Sequence, residues 1–147
     1  MCSERRGAAL DPAVPLPLGS DDTARIDRRH DMATTDELLA ANLHGVFGER
    51  DAVERRAAAA AIYTDDVRFV DPEETVVGPD AVVAKAAALL DGAPGFVFAD
   101  EGPTYLAGDR AALAWTFGPE GAAPVARGVD VLTFRDGRIS EVLTLLA

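Results

Sequence analysis

Two aspartates within apolar strand patterns are the residues best placed for acid–base chemistry. Asp130 lies in the middle of segment 125–134, whose alternate positions are largely apolar on both faces. Such a segment predicts a central strand, where burial raises the pKa of a carboxyl because it disfavours the charged form. A carboxyl of this kind can donate or accept a proton near neutral pH. The alternative is a structural ion pair with Arg110 or Arg127.

Asp71 is the second candidate. It follows Val67 and Phe69 on one face of a short alternating pattern, which Pro72 ends. A carboxylate at the end of a strand is well placed for the mouth of a pocket. The alternative is an Asp-Pro turn, in which the aspartate side chain serves the local backbone.

Further side chains are candidates for the same pocket. His44, on the first predicted helix, could act as a base or a hydrogen-bond donor, or could face solvent at the helix edge. Trp115 either lines the pocket or packs in the core. Tyr63 supplies a phenol donor if it points inward. We expect the other contacts to an apolar ligand from Phe69, Phe98, Phe117 and Leu132.

The sequence lacks the motifs of most metal- and cofactor-dependent enzymes. A glycine-rich phosphate loop, an H-E-x-x-H motif and a G-x-S-x-G motif are all absent. The two histidines are His30 and His44, and the single cysteine is Cys2, so no metal site and no intrachain disulfide are predicted. We therefore expect chemistry without a metal or an organic cofactor.

The charge distribution restricts the partners. The net charge is −11, and residues 32–147 contribute most of it, with nine Lys and Arg against nineteen Asp and Glu. Binding to nucleic acid requires a basic surface, so nucleic acid is not an expected partner. No apolar run reaches the length of about 18 residues typical of a membrane span. A single cysteine agrees with a cytoplasmic location.

Three helices are predicted in the first half of the domain. Residues 34–37, Thr-Thr-Asp-Glu, form a capping box before apolar residues at helical spacing, and Gly48 ends this helix. Asp51 begins a second, alanine-rich helix that extends to about residue 62. The third helix begins at Gly78-Pro79, with proline in its first turn, and ends near Gly92.

The second half predicts an antiparallel sheet. Segments 96–99, 104–107, 111–117, 125–134 and 139–146 read as strands, with a break at Gly102-Pro103 and turns at Gly108-Asp109 and Asp136-Gly137. Tight turns between long strands form a meander, which can bend at glycines such as Gly128. The result is one α+β domain over residues 33–147, in which a curved antiparallel sheet encloses an apolar pocket. Residues 1–32 are predicted to be disordered, and one hypothesis places the start of translation at Met32.

Two stretches resemble the SnoaL-like branch of the nuclear transport factor 2-like superfamily. They are residues 62–72 (IYTDDVRFVDP), followed by GPDAV at 78–82, and residues 128–139 (GVDVLTFRDGRI). The resemblance covers about residues 34–147 and implies a cone-shaped fold, with three N-terminal helices packed on a strongly curved sheet around a pocket. The family includes polyketide cyclases, ketosteroid isomerases, epoxide hydrolases, dehydratases and non-catalytic binders.

The resemblance implies roles for individual residues. Asp71 is similar in position to the base of ketosteroid isomerases, and Asp130 to their protonated acid and to the catalytic acid/base of SnoaL-type cyclases. The isomerase tyrosine on the first helix is missing, because residues 42–44 read Asn-Leu-His. Arg127 falls on the strand face opposite Asp130, so the epoxide hydrolase triad is not expected to form.

Two functions therefore stay open. The first is acid/base catalysis of isomerisation, cyclisation or dehydration on a small or polycyclic apolar carbonyl compound. The second is a non-catalytic module that binds a hydrophobic ligand or serves for dimerisation. A homodimer is expected in either case, because the family often pairs through its sheet and both faces of segment 125–134 are apolar.

Overall fold

The computed structural model describes residues 34–147. The predicted disordered tail of residues 1–32 and the proposed start at Met32 lie outside the described residues. The elements, in chain order, are α1 (Thr35–Ala40) continuing as a π-helix (Ala41–Phe47), α2 (Ala52–Ile62), β1 (Tyr63–Val70), β2 (Thr75–Val77), α3 (Pro79–Asp91), β3 (Phe96–Ala107), β4 (Arg110–Pro119), β5 (Ala126–Arg135) and β6 (Arg138–Leu146). This is the α+β arrangement that the sequence predicts.

The helices begin where the sequence places their caps. Thr34 Oγ1 accepts a hydrogen bond from Glu37 N at 3.2 Å, and Glu37 Oε1 accepts one from Thr34 N at 2.8 Å, which completes the capping box. The side chain of Asp51 accepts hydrogen bonds from two backbone N–H groups at the start of α2. Pro79 occupies the first turn of α3.

The first helix changes its hydrogen-bond pattern after Ala40. Its last turn closes through a bond from Gly48 N to Leu43 O at 2.7 Å, five residues apart, which is the π-helical pattern. The π-helix buries Asn42, Leu43, Val46 and Phe47. Periodicity predicts an ordinary helix here, so the π-helix is a difference from the prediction, of a kind common at functional sites.

The six strands form one curved sheet in the order β2-β1-β6-β5-β4-β3. All neighbouring pairs are antiparallel except β1 and β6, which run parallel with Arg68 beside Glu141. The predicted antiparallel sheet therefore holds for the meander β3–β6 and not for this pair. Parallel neighbours need a long connection, which here consists of β2, α3 and strands β3–β5.

The structure shows what happens at the predicted break in β3 and at the predicted turn between β5 and β6. The break predicted at Gly102-Pro103 is a bulge inside one strand, because Asp100 pairs with Trp115 and Thr104 with Leu113, so the spans between them differ by two residues. The turn predicted between β5 and β6 forms, with positive φ values of 55° at Asp136 and 79° at Gly137. Such values are typical of the type I′ hairpin turn.

The inner face of the sheet forms the core together with the helices. Alternate residues of β4 are buried, as the alternation predicts: Ala111, Leu113, Trp115 and Phe117. In β5 the buried residues are Gly128, Asp130 and Leu132. Asp130 is thus a carboxyl placed within an apolar core, which the sequence predicts for this strand.

Candidate active site

A cavity of about 470 Å³ opens beside this core. Aromatic rings make up much of its wall, from Phe47, Phe69, Phe98, Trp115 and Phe117. Asp130 and Thr144 line it from β5 and β6, while Asp71, Glu73, Glu74 and Lys85 form a separate charged group. An apolar hollow with a few polar groups is the usual form of a small-molecule site.

Asp130 is almost fully buried, with 6% of its surface exposed. Its Oδ1 accepts hydrogen bonds from Thr144 Oγ1 at 2.8 Å and Trp115 Nε1 at 3.0 Å. Its Oδ2 accepts one from Asn42 Nδ2 at 3.3 Å. Three donors from three different elements therefore hold this carboxyl in one orientation.

Burial raises the pKa of Asp130 to about 6, although hydrogen bonds from Thr144 and Trp115 stabilise the carboxylate and act in the opposite direction. Within residues 34–147, Asp130 forms no ion pair with Arg110 or Arg127: its partners are Asn42, Trp115 and Thr144, and Arg127 pairs with Glu101. A pKa near 6 leaves Asp130 mostly ionised at pH 7 and still easily protonated. That is the range in which a carboxyl serves as both base and acid.

Tyr63 fixes the orientation of the Asn42 amide. The phenol donates to Asn42 Oδ1 at 2.5 Å, and both side chains are buried. Burial, together with the negative charge of Asp130, raises the pKa of Tyr63, so the phenol keeps its proton and remains a donor. With Oδ1 engaged by Tyr63, the N–H₂ of Asn42 faces Asp130. A flipped amide would bring two acceptors together.

The hydrogen bonds identify the oxygen of Asp130 that can exchange a proton. An ionised carboxylate has about four acceptor sites, two on each oxygen. Oδ1 already has two donors, and the indole N–H of Trp115 cannot act as an acceptor. Oδ2 has one donor among the described residues, so it is the oxygen of Asp130 with the larger remaining capacity for a proton.

Gly128 makes room for the indole of Trp115. The two residues face each other in the pairing of β4 and β5. A Cβ at Gly128 would overlap Trp115 Cζ2, and it would lie 2.8 Å from Trp115 Cη2 and 2.7 Å from Leu145 O. The sequence predicts a bend at this glycine; the structure shows a close approach that lets the indole reach Asp130.

Asp71 lines the cavity at the end of β1. Its Oδ1 accepts from Glu73 N at 2.9 Å and Glu74 N at 3.0 Å, and its Oδ2 lies 2.8 Å from Lys85 Nζ. Both readings of this residue thus apply, since it forms a turn and lines the cavity. Burial alone would raise the pKa of Asp71, but Lys85 and the two backbone N–H groups outweigh it and lower the pKa. Asp71 is therefore a weak base.

The other predicted site residues divide into two groups. Phe69, Phe98, Trp115 and Phe117 line the cavity. The structure does not bring Tyr63, Leu132 and His44 to the wall: Tyr63 and Leu132 are buried elsewhere in the core. The side chain of His44 is about half exposed, and its Nε2 lies 2.6 Å from Asp100 Oδ1. The helix turns His44 to the solvent edge while it turns Asn42 inward.

Sequence reasoning missed three residues of the site. Asn42 follows Leu38 by four positions, so a polar residue within an apolar helical stripe was its signal. Thr144 is the cross-strand partner of Asp130 because a bulge between Thr133 and Phe134 shifts the pairing by one residue; the predicted turn alone would have paired Asp130 with Leu143. Lys85, three positions after Val82 on the buried stripe of α3, had a similar signal.

The comparison with known protein families covers most residues of this site. The family model of the SnoaL-like domain matches residues 40–142, which is more than half of the chain. The chain belongs to the SnoaL-like family. The matched range spans the SnoaL-like domain from the π-helix to β6 and includes Asn42, Asp71, Lys85 and Asp130.

Solved structures agree with the SnoaL-like assignment. A proposed isomerase of the SnoaL-like family from Agrobacterium tumefaciens strain C58 has a TM-score of 0.70 and 25% identity, covering 75% of this chain and 94% of its own. A proposed SnoaL-like polyketide cyclase from Jannaschia sp. CCS1 has a TM-score of 0.60 and 18% identity, covering 74% and 81%. A proposed ketosteroid isomerase from Kribbella flavida has a TM-score of 0.58 and 20% identity, and the match covers 80% of each chain.

The last two similarities show the fold alone, because the identities are low. No curated protein sequence matches the chain. Within residues 34–147, no three His, Cys, Asp or Glu side chains are grouped so that they could hold a metal ion. No helix in this part of the chain is both long and apolar enough to cross a bilayer.

Proposed function

We propose that this SnoaL-like domain catalyses proton transfer next to the carbonyl group of a small or polycyclic apolar compound. The observation that carries the proposal is Asp130, a buried carboxyl with a pKa of about 6 that lines an aromatic cavity and whose Oδ2 has one donor among residues 34–147. A ligand with an apolar body and one carbonyl group matches that lining. The products would arise by isomerisation, cyclisation or dehydration.

The reaction begins with ionised Asp130. Its Oδ2 takes a proton from the carbon next to the carbonyl, and the electron pair of the broken C–H bond forms an enolate. If the ketone has a C=C bond between its β- and γ-carbons, the enolate is a dienolate, and return of the proton to the γ-carbon moves the double bond and gives the conjugated isomer. Attack of the enolate carbon on a second carbonyl of the same molecule gives a ring, and the proton then passes to the new alkoxide oxygen. Loss of that hydroxyl as water with a neighbouring proton gives the dehydrated product.

Asp130 alone serves as the acid/base in this proposal. The lowered pKa of Asp71 supports a different role for that carboxylate, because a strongly stabilised carboxylate accepts protons poorly. Its charge and its contact with Lys85 instead organise the polar part of the cavity. His44 lies outside the cavity wall and has no part in the proposed step.

The test is exchange of α-protons for deuterium in 2-tetralone, a bicyclic ketone, followed by proton NMR in heavy water. The wild-type protein is expected to accelerate exchange above the buffer rate. Asp130→Asn should reduce the acceleration by about 100-fold or more, the usual value of a general acid/base. Asp100→Asn is the matched control, since Asp100 is a partly exposed aspartate beside His44. Equal rates in wild type and Asp130→Asn would overturn the proposal.

The second candidate is a non-catalytic binder of the same apolar compounds. It is favoured by the three donors that already hold Asp130 and by the use of the Tyr63 phenol on Asn42 rather than on a ligand. Asp130 would then be a hydrogen-bond anchor. Saturable binding of 2-tetralone by the wild type, with exchange at the buffer rate, would establish this function instead.

We also propose a homodimer formed through the outer face of the sheet. Apolar side chains follow one another in register across five strands on this face: Tyr105, Ala112, Val131, Leu143 and Val70. Tyr105 is 62% exposed and the other four side chains are half-buried, and a partly exposed apolar row of this length favours a covering partner. Light scattering after gel filtration should give twice the chain mass of 15.4 kDa, and Val131→Lys should give the monomer. A monomeric wild type would refute the dimer.

We propose the cytoplasm as the location. The chain has one cysteine and a net charge of −11, which suit a reducing, crowded compartment. Recovery of the native protein in the soluble cytoplasmic fraction is the expected result, and recovery from an extracellular fraction would contradict it.

A further inference from the structure

Lys85 is the only lysine of the chain. The other thirteen basic residues among the fourteen Lys and Arg are arginines. Lys85 lies on α3 and lines the cavity, and only 15% of its side chain is exposed. The one flexible, compact cation of this protein is therefore placed in the wall of the cavity that contains Asp130.

Two carboxylates hold the ammonium group of Lys85. Its Nζ lies 2.8 Å from Asp71 Oδ2 and 2.8 Å from Glu74 Oε2, whereas Glu73 Oε1, at 3.7 Å, is beyond hydrogen-bond distance. An ammonium group has three donors. Within the part of the chain that the structure describes, two of them have partners, which leaves one N–H for a ligand.

The turn after β1 positions this cation. Backbone N–H groups of Glu73 and Glu74 fix Asp71, and Asp71 in turn holds Lys85 Nζ. Nζ also lies over the ring of Phe69, 5.8 Å from its centroid, and Phe69 is another residue of the cavity wall. The ammonium group is thus held at the surface of the cavity before any ligand arrives.

We propose that Lys85 donates its third N–H to the carbonyl oxygen of the ligand and stabilises the negative charge that develops there when Asp130 removes the α-proton. The proposal rests on the function proposed above and deepens it. It requires a ligand that presents its carbonyl oxygen to Lys85 and its α-carbon to Asp130 Oδ2. The hydrogen bond strengthens as the oxygen gains charge, so it favours the enolate over the ketone.

Lys85 acts in this proposal as a donor and not as a nucleophile. Burial alone would lower the pKa of Lys85, but its contacts with Asp71 and Glu74 outweigh burial and raise it. An imine forms only from the neutral amine.

Binding of an enol analogue tests the role of Lys85 separately from the reaction. The probe is 2-naphthol, which has the shape of the enol of 2-tetralone, and naphthalene is the matched probe without oxygen. Wild type should bind 2-naphthol at least tenfold more tightly than naphthalene. This factor is the lower limit of the gain in affinity expected from one hydrogen bond to a charged group. Lys85→Met should lose that preference and retain naphthalene binding. Arg56→Met, which removes an exposed cation, is the control and should change neither affinity.

The Asp130→Asn background distinguishes the contribution of Lys85 from that of Asp130. Loss of the 2-naphthol preference on adding Lys85→Met to Asp130→Asn would show that Lys85 contacts the oxygen by itself. If 2-tetralone exchange is absent but this loss is found, the anchor role of Lys85 stands and the proposed reaction fails. Equal affinity of wild type for the two probes, or no binding of either, would overturn the role of Lys85.

A second measurement covers the case in which Lys85→Met does not fold. Lysine labelled with nitrogen-15 at Nζ gives a single side-chain signal, because the chain has one lysine. The label leaves the charge and all three N–H groups unchanged. The Nζ signal should shift more with 2-naphthol than with naphthalene. Identical shifts with the two probes would refute the proposal.

Discussion

Replacing Thr144 by valine removes one donor from Asp130 and leaves the shape of the side chain nearly unchanged. Thr144 Oγ1 donates to Asp130 Oδ1 at 2.8 Å, and this bond stabilises the carboxylate over the neutral acid. A hydrogen bond to a charged group contributes about 1.5–3 kcal/mol, which corresponds to roughly 1–2 pKa units. We therefore expect the pKa of Asp130 to rise from about 6 to roughly 7–8 in Thr144→Val.

The shift has a large consequence near neutral pH. At pH 7 a carboxyl with a pKa of 6 is about 10% protonated, and one with a pKa of 7–8 is about 50–90% protonated. The base form of Asp130 would thus become the minority, and α-proton exchange at pH 7 should fall while the pH optimum moves upward. The acid function does not suffer, because Trp115 and Asn42 still orient the carboxyl.

Carbon-13 NMR of aspartate side-chain carboxyls provides the assay, with Asp130→Asn identifying the signal of Asp130 by its absence. Thr116→Val is the matched control, since Thr116 is a half-buried threonine on β4 that pairs with Arg127 and not with Asp130. A pKa of Asp130 that stays near 6 in Thr144→Val, or that falls, would refute the reasoning that this hydroxyl stabilises the carboxylate.

Three further expectations concern stability, measured by urea unfolding. Gly128→Ala forces a Cβ against the indole of Trp115 and should cost about 1–3 kcal/mol of stability. Gly45→Ala places its Cβ in a helix at 3.4 Å from the Cβ of Ala58, an ordinary contact, and should stabilise by about 0.5–1 kcal/mol. A loss of stability in both variants would contradict the argument that only Gly128 lacks room for a side chain. Tyr63→Phe leaves a buried amide oxygen without its donor and should cost about 1–3 kcal/mol; an unchanged stability would show that water replaces the phenol. Below about pH 4, Asp130 is protonated in both the folded and the unfolded protein, whereas between about pH 4 and pH 6 only the folded protein keeps this proton. The free energy of unfolding of wild type should therefore fall by about 3 kcal/mol relative to that of Asp130→Asn as the pH rises through this range. A difference in unfolding free energy that stays constant with pH would show that the pKa of Asp130 is not raised in the folded protein.

Much of the fold could be predicted because most of its helices and turns are marked by caps, prolines or glycines in the local sequence. The capping box at Thr34, the proline of α3 and the turn at Asp136-Gly137 all form where the sequence places them. The parallel neighbours β1 and β6 could not be found in this way. Their contact joins residues such as Arg68 and Glu141, which lie 73 positions apart, and no local pattern encodes such a pairing.

The site was predictable only in part, for a related reason. Asp130 is a charged residue in an otherwise apolar part of its strand, and this exception to the local pattern identified it as a candidate site residue. Asn42 and Lys85 carry equally polar side chains on buried helical stripes, but single polar residues on a helix are common. What distinguishes them is the partner that tertiary packing supplies, Asp130 for Asn42 and Asp71 for Lys85. His44, by contrast, finds its partner Asp100 near solvent.

The parallel contact of β1 with β6 also has a kinetic consequence. Strands β3–β6 follow one another through short connections, whereas joining β1 to β6 closes a loop of about 70 residues and has a greater entropic cost. We expect the meander to assemble before this closure. Until then Asp130 can already accept from Trp115 and Thr144, but Asn42 and the helices have not covered it. Closing the cone therefore takes up a proton between about pH 4 and pH 6, and the rate of this step should depend on pH in that range.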